Sequence, residues 1–336
     1  MILLDALYIN NGGGKVLLDY LIKELESKRI LVFYLFDKRT EGEFDFIDVS
    51  RRVYLKASIY GRYKFYKKNI AQYRKVFCFG NVPPIRKLRT VVVTYFHQPN
   101  FLIQPKDLPF SDRVIYTFKT MFLKSITRNT DFWIVQSKYI KTSLEARFGV
   151  KSEKVLVIPF FPNIVPTDVE MIRDKMTYLY VSNASSHKNH IRLLEAFSRF
   201  SDKFPDARLI ITIGDENLNV ISLLREKVDL GHKIENLGFI DRNRLIEIYQ
   251  SSTFFIFPSL NESFGLGLIE ALECGCKIIA ADLPYTYEVC TPSLVFDPNN
   301  VESIVNAFEQ SLNYNTKPSF PLIKNEIQTL INLIAE

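Results

Sequence analysis

Long apolar runs are missing from this 336-residue chain. No stretch approaches the roughly 18 consecutive apolar residues that a membrane-spanning helix needs. Cysteine is scarce, with only Cys78, Cys274, Cys276 and Cys290. Cys274 and Cys276 stand too close for the usual zinc knuckle, and no second pair answers them. Buried, reduced thiols in a cytoplasmic chain are the expectation. The four histidines, His97, His187, His190 and His232, form no HExxH or other metal-ligand pattern. Internal repeats, low-complexity tracts and nucleic-acid-binding modules are also missing. What is present is ordinary for a soluble globular protein: 47% hydrophobic and 24% charged residues. At roughly 100–200 residues per domain the length suggests two domains. The opening Met1–Ile9 is apolar, but Asp5 interrupts it and no basic leader or small-residue cleavage site accompanies it. It reads as a first β-strand.

The net charge of +6 is unevenly spread. Residues 1–165 hold 28 Lys and Arg against 14 Asp and Glu, a balance of +14, and the remainder has 15 against 23, or −8. Between Arg51 and Arg89 lie twelve basic residues, no acidic one and eight Tyr or Phe. Such asymmetry points to an anionic partner for the first half. Basic and aromatic side chains together suit an anionic membrane surface. They also describe a strand-binding groove, which the lack of any nucleic-acid module disfavours, or a solvated face over core aromatics. A second stretch, Phe110 to Arg128, carries Val114, Ile115, Phe118, Phe122 and Ile126 at helical spacing with Lys119, Lys124 and Arg128 elsewhere on the wheel. Such a helix packs on a core or lies in a membrane interface.

Along the chain, short β-branched and aromatic runs alternate with amphipathic stretches. Strands are expected at Ile2–Ile9, Ile30–Phe36, Lys75–Cys78, Val91–Phe96, Phe132–Gln136 and Lys154–Ile158. A second series is expected at Thr177–Val181, Arg208–Gly214, Ile234–Leu237, Thr253–Pro258 and Lys277–Ala281. Helices are expected between them, among them Lys15–Ser27, Lys138–Phe148, Asn189–Phe204, Val220–Val228, Asp241–Gln250 and Gly267–Cys274. Pro159, Pro162 and Pro166 mark a linker. Strands without clean polar alternation are those of buried parallel sheets, so the expected architecture is α/β, with two doubly wound halves. Ligands in such sheets sit outside the carboxyl ends of the strands.

The most informative stretch runs from Phe257 to Gly275. A buried strand enters a glycine-containing loop, which opens a helix whose first amides lack intrahelical partners and suit a diphosphate. Glu262 in the loop and Glu270 in the helix lie eight residues apart. A carboxylate accepts hydrogen bonds from a sugar or ribose diol, although Glu270 also favours the helix dipole where it stands.

This stretch resembles the E-x7-E motif of family 4 glycosyltransferases, with Glu262 and Glu270 as the glutamates. Tyr180 to His190 resembles that family's strand-then-lysine segment, followed by Leu194-Glu195-Ala196-Phe197 on a helix. Ile213-Gly214-Asp215, Leu237-Gly238-Phe239, Thr130–Ser137, Val155–Pro159 and Gly12-Gly13-Gly14 match further landmarks, so the resemblance spans nearly the whole chain. It implies a GT-B fold, two Rossmann-like domains facing an interdomain cleft, with an acceptor domain at 1–160 and a nucleotide-sugar donor domain at 161–336. The implied reaction retains the anomeric configuration and needs no obligatory metal or other cofactor. The sequence has no Asp-x-Asp pair.

Residue by residue, the resemblance assigns Lys188 to the leaving diphosphate, Glu262 to the transferred sugar and phosphate, and His97 to the reaction centre. Glu270 takes the ribose hydroxyls. Phe264, Gly265 and Leu266 offer amides around the sugar and diphosphate. Gly238, Phe239 and Ile240 line the nucleobase pocket, and Glu288 is a weaker match nearby. Gly13 and Gly14 approach the diphosphate or simply form a tight turn. The family usually carries an arginine after the first strand of this half. Here Ser182-Asn183 stands in its place, so Asn183 supplies only a neutral donor. Ser263 and Gly267 replace a usual glycine and proline. His187 and His190 flank Lys188, and either can face solvent. The implied partners are a GDP- or UDP-sugar, a glycan or lipid-linked acceptor, and an anionic membrane surface at the cytoplasmic face of the inner membrane, with no nucleic acid. Surface-polysaccharide assembly, such as O-antigen or capsule, is the expected setting. A soluble acceptor, a non-catalytic sugar-nucleotide-binding subunit and an epimerase of the same fold are the alternatives.

Overall fold

The structure is a computed structural model that describes residues 1–103, 110–165, 173–215, 217–313 and 315–336. Pro166 of the expected linker lies outside them. The described chain divides into two compact units, one of residues 1–103, 110–162 and 324–336, the other of 163–323.

The first unit is a seven-stranded, wholly parallel sheet. Its strands are β1 (Ile2–Ala6), β2 (Val32–Asp37), β3 (Arg52–Leu55), β4 (Lys75–Phe79), β5 (Val91–Tyr95), β6 (Phe132–Val135) and β7 (Val155–Val157). Their order is β3-β2-β1-β4-β5-β6-β7, so the direction of winding reverses between β1 and β4. Helices α1 (Gly12–Ser27), α2 (Ile59–Asn69), α3 (Phe110–Ile126) and α4 (Lys138–Phe148) make the crossovers. Ser58 and Ser137 cap α2 and α4 by accepting from the amides of Gly61 (2.9 Å) and Ile140 (3.3 Å). Every residue of β1 is buried, Asp5 included. The interruption that Asp5 makes in the sequence is therefore a buried charge, paired with Arg62 at 2.6 Å.

That pair withdraws Arg62 from any charged face that the basic stretch presents. Arg62 is only 3% exposed and also donates to the Pro83 carbonyl at 3.1 Å. Arg51 pairs with Glu26, and Arg52 with Asp45. Arg74 and Lys75 donate to the last carbonyls of α11 (Ile327–Ala335), where cations complement the helix dipole. Lys87 pairs with Asp131, so six of the twelve cations hold the fold together. The same contacts explain why residues 324–336 belong to the first unit, although the sequence reading assigns all of 161–336 to the second domain. The Glu326 amide also donates to the Pro159 carbonyl at 2.7 Å, and the Asn325 side chain to the Phe161 carbonyl at 2.6 Å.

The second unit has a six-stranded parallel sheet. Its strands are β8 (Asp174–Tyr180), β9 (Arg208–Ile211), β10 (Ile234–Asn236), β11 (Ser252–Phe257), β12 (Lys277–Ala281) and β14 (Leu294–Phe296). The order β10-β9-β8-β11-β12-β14 reverses between β8 and β11. A two-residue strand, β13 (Cys290–Thr291), pairs antiparallel with β15 (Phe320–Pro321). Helices α5 (His190–Lys203), α6 (Leu218–Asp229), α7 (Arg242–Ser251), α8 (Leu266–Glu273), α9 (Pro284–Val289) and α10 (Val301–Ser311) complete it. Each unit is thus doubly wound, with a topological switch point at which ligands bind in sheets of this type. All four cysteines are free and buried. Among the described residues no helix is long and apolar enough to cross a membrane.

Candidate active site

In the second unit the chemistry gathers at the carboxyl ends of β8 and β11, the switch point of its sheet. After β8 the chain makes a short 3-10 turn, Ser186–Lys188, and then Asn189 takes a left-handed conformation at φ 62°. An asparagine tolerates this better than most residues. Its side-chain amide donates to the carbonyls of Pro258 (3.1 Å) and Pro298 (2.8 Å). The loop after β11 is tied back by the Leu260 amide, which donates to the His187 carbonyl at 2.7 Å. Tyr180 and Tyr285, both buried, brace the same place: Tyr180 donates to the Lys188 carbonyl (2.9 Å) and Tyr285 to the Ser259 carbonyl (2.6 Å).

These restraints bring together two sequence-predicted residues 74 positions apart. Lys188 Nζ lies 2.6 Å from Glu262 Oε1, with side chains only 17% and 11% exposed. A charge pair that is largely withdrawn from water is screened less by salt than a surface pair. The carboxylate occupies one of the three N–H donors of the ammonium, which leaves two for an anionic ligand.

Gly265 caps α8 at φ 79°, a conformation open to glycine at low cost. It has no side chain to occupy the first-turn amides, so these suit an anion. Phe264 is 3% exposed and packs its ring inward. Leu266, half-buried, is the first helical residue. Glu270 is deeper than its role in the resemblance suggests, at 6% exposure. One oxygen accepts from Tyr249 at 3.1 Å, and the other lies 3.3 Å from Arg242 Nη1. Burial holds its carboxyl above the usual carboxylate range, and Arg242 pulls in the opposite direction. Arg242 opens α7, and its Nη2 has no hydrogen-bond partner among the described residues. Sequence reasoning missed Tyr249, Arg242 and Asn189. Only Asn189 left a signal, as an asparagine immediately ahead of a helix.

Asn183 is exposed, and its side chain accepts from the Ser185 amide at 3.2 Å, a local turn. Gly238, Phe239 and Ile240 follow β10. The Gly238 amide donates to Asn236 Oδ1 at 3.1 Å, and the same oxygen accepts from the Ile213 amide at 3.0 Å, which joins two strand-end loops. Phe239 is 99% exposed. Glu288 lies half-buried on α9.

In the first unit, His97 leaves the end of β5, and its amide donates to Asn81 Oδ1 at 2.6 Å. Asn81 follows β4 in the left-handed region at φ 68°, another residue that sequence reasoning missed. His97 Nε2 lies beside α1: a Cβ on Gly14 would come within 2.9 Å of it, so the glycine is required there to admit the imidazole. Gly13 is open. Nδ1 has no hydrogen-bond partner among the described residues.

His190 does not face solvent, and His187 is half-buried. His190 is buried against the Tyr180 ring, with Nε2 3.1 Å from Ser182 Oγ. Burial pushes His97 and His187 down to about 4 and His190 to about 3. All three are neutral near pH 7. An unfolded chain takes up these protons below about pH 6.5, while the folded chain refuses them until near pH 4. Stability present above pH 6.5 is therefore lost as pH falls through 4. A melting series from about pH 7 to 4.5 should show a steep fall, and His190→Asn should flatten it. Glu270, whose shift has the opposite stability effect, offsets only part of this.

The comparisons with known proteins bear on the family and the fold. The family described as Glycosyl transferases group 1 matches residues 168–325. The O-antigen chain mannosyltransferase RfbU of Salmonella typhimurium is 26% identical over 270 residues, covering 75% of this chain and 71% of that protein. Other curated relatives match over about a fifth to a half of their own length. Among solved structures, sucrose-phosphate synthase from Thermosynechococcus elongatus aligns with a TM-score of 0.72 at 19% identity, over 99% of this chain and 96% of that one. Anabaena HepE in complex with UDP and glucose aligns at 0.70 and 14% identity, over 99% and 94%. The fold of two Rossmann-like units is GT-B. Residues 168–325, just under half of the chain, are similar to the glycosyl transferases of group 1.

Proposed function

We propose that this glycosyltransferase moves a hexosyl group from a GDP- or UDP-sugar to a lipid-linked glycan at the cytoplasmic face of the inner membrane, with retention at the anomeric carbon, in the assembly of a surface polysaccharide such as O-antigen. The observation that carries the reading is the part-buried Lys188–Glu262 pair at the switch point of the second sheet, inside the segment that matches the family. The name of the Salmonella relative, an O-antigen chain mannosyltransferase, supports a polysaccharide acceptor and a mannosyl donor. The UDP and glucose of the Anabaena structure support a sugar nucleotide.

In this reading Lys188 and the first amides of α8 hold the diphosphate, and Glu270 holds the ribose. As the glycosidic bond breaks, charge grows on the leaving phosphate, and Lys188 stabilises it. That phosphate takes the proton from the acceptor hydroxyl on the face it leaves. His97, neutral, donates or accepts a hydrogen bond with the transferred sugar without carrying charge. With Asn183 in place of an arginine, Lys188 bears more of the diphosphate charge. No metal is required at any of these positions.

The test is a thermal-shift panel of UDP, GDP, dTDP and CMP with their common sugars, with and without EDTA. A ligand at 100 times its Kd adds about 2.7 kcal/mol. One nucleotide should stand out, unaffected by EDTA. A shift that needs a divalent ion would contradict the metal-free reading, and no shift from any would contradict the donor site.

A further inference from the structure

The sequence leaves open whether the stretch 110–128 packs on a core or faces outward. The structure divides it. Thr120, Leu123 and Ile126 turn inward, with Leu123 and Ile126 joining Phe96, Trp133 and Phe148 in one cluster and Thr120 donating to the Phe101 carbonyl at 3.2 Å. The opposite face of α3 is apolar and uncovered. Phe118 is 68% exposed, Met121 63%, Ile115 49%, Phe122 39% and Val114 37%. At 3.6 residues per turn these five lie within about 60° on either side of Phe118. Exposed Lys119 borders the stripe on one side, and exposed Lys124 and Arg128 border it on the other. Residues 113–128 contain no acidic side chain.

A globular protein rarely leaves five large apolar side chains side by side in water. An apolar stripe with cations along both margins is what a helix lying flat in a lipid interface presents, its rings at the acyl boundary and its ammonium groups among headgroups. The +14 balance of residues 1–165 supplies the matching long-range attraction. We propose that α3 is a membrane-docking helix and that its occupant is the surface of an anionic bilayer. The contact is Phe118, Met121, Phe122 and Ile115 in the interface and Lys119, Lys124 and Arg128 on anionic headgroups. This locates the attachment on α3 and not on the basic stretch 51–89, where half of the cations are engaged within the fold. It deepens the lipid-linked acceptor reading but does not depend on turnover.

Co-flotation tests it, with vesicles of phosphatidylcholine alone or with a third phosphatidylglycerol. The wild-type chain should float with the anionic vesicles and, at least tenfold more weakly, with the neutral ones. Phe118→Glu/Met121→Glu and Lys119→Glu/Lys124→Glu should each reduce anionic binding at least tenfold and keep the donor-induced melting shift. The native thiols are all buried, so an environment-sensitive dye at Met121→Cys reports the contact without a charge change. Its emission should move to the blue on anionic vesicles only. No flotation of the wild-type chain, unchanged binding by both double variants, or an unmoved dye would overturn the proposal. So would light scattering that shows a dimer dissociated by the Phe118 variant with vesicle binding intact, because a second copy would then cover the stripe. Because flotation needs no donor, its failure leaves the donor shift standing, and failure of the donor reading leaves flotation standing.

Discussion

Lys188→Ala is expected to lower kcat/KM for the donor by about 100- to 1,000-fold, or about 3–4 kcal/mol of transition-state stabilisation, the usual loss when one preorganised donor to a developing anion is removed. The structure predicts a second consequence. Glu262, 11% exposed at its side chain, loses its 2.6 Å partner and is left as a poorly solvated carboxylate. Removing one partner of such a pair destabilises more than removing both. Lys188→Ala should therefore also melt earlier, and Lys188→Ala/Glu262→Gln should recover most of the melting temperature without recovering turnover. If activity returned with stability, Lys188 would be a structural residue. If Lys188→Ala were fully active, the assignment of the site would be wrong.

Glu270→Gln should separate stability from donor binding. The raised carboxyl pKa means that the folded state disfavours the charged form, with burial the largest cause. An acid shifted this way contributes stability below its unfolded pKa, and that contribution is lost as pH rises through the folded value. At neutral pH the carboxylate is thus a net cost to the unliganded protein. A neutral glutamine of the same length still accepts from Tyr249 and should leave the melting temperature unchanged or raise it. A hydrogen bond to a charged acceptor contributes about 1.5–3 kcal/mol, so donor affinity should fall about 10- to 150-fold, read as loss of the donor-induced shift. Arg242, 39% exposed at its side chain, can hydrate when its partner is neutralised. A variant that is less stable and binds donor normally would show that Glu270 serves the fold alone.

Both experiments act on residues that local sequence already marked, and that reflects how much was legible. Strands β1, β4, β5, β6, β11 and β12 declared themselves because parallel strands are buried on both faces and read as short apolar runs. Glu262, Glu270, Lys188 and His97 were visible through the resemblance to the family's motifs, which follow the ends of such runs. Strand β3 and helix α2 were not, since their residues are basic and aromatic, and the pattern there reads as surface charge until Arg62 is seen to meet Asp5, 57 positions away. Helix α11 could not be assigned to the first unit because its docking rests on Arg74, Lys75 and the Pro159 carbonyl, long-range partners without a local signature. The supports of the site were hidden for the same reason. Tyr249 reaches Glu270 from a neighbouring helix, and Asn81 reaches His97 from a neighbouring strand. The orientation of α3 also needed coordinates, because a helical apolar stripe has the same period whether it faces a core or a lipid.

The measurement that bears most directly on the central claim is transfer itself. The purified chain is incubated with the donor that the thermal-shift panel selects and with a lipid-linked glycan fraction, in EDTA, and the products are followed by mass and by the anomeric proton coupling. The account predicts release of one nucleoside diphosphate per acceptor, a product heavier by one hexosyl unit, and the donor's anomeric configuration kept in the new bond. Donor binding with no glycosylated product from any acceptor, or a product of inverted configuration, would contradict it.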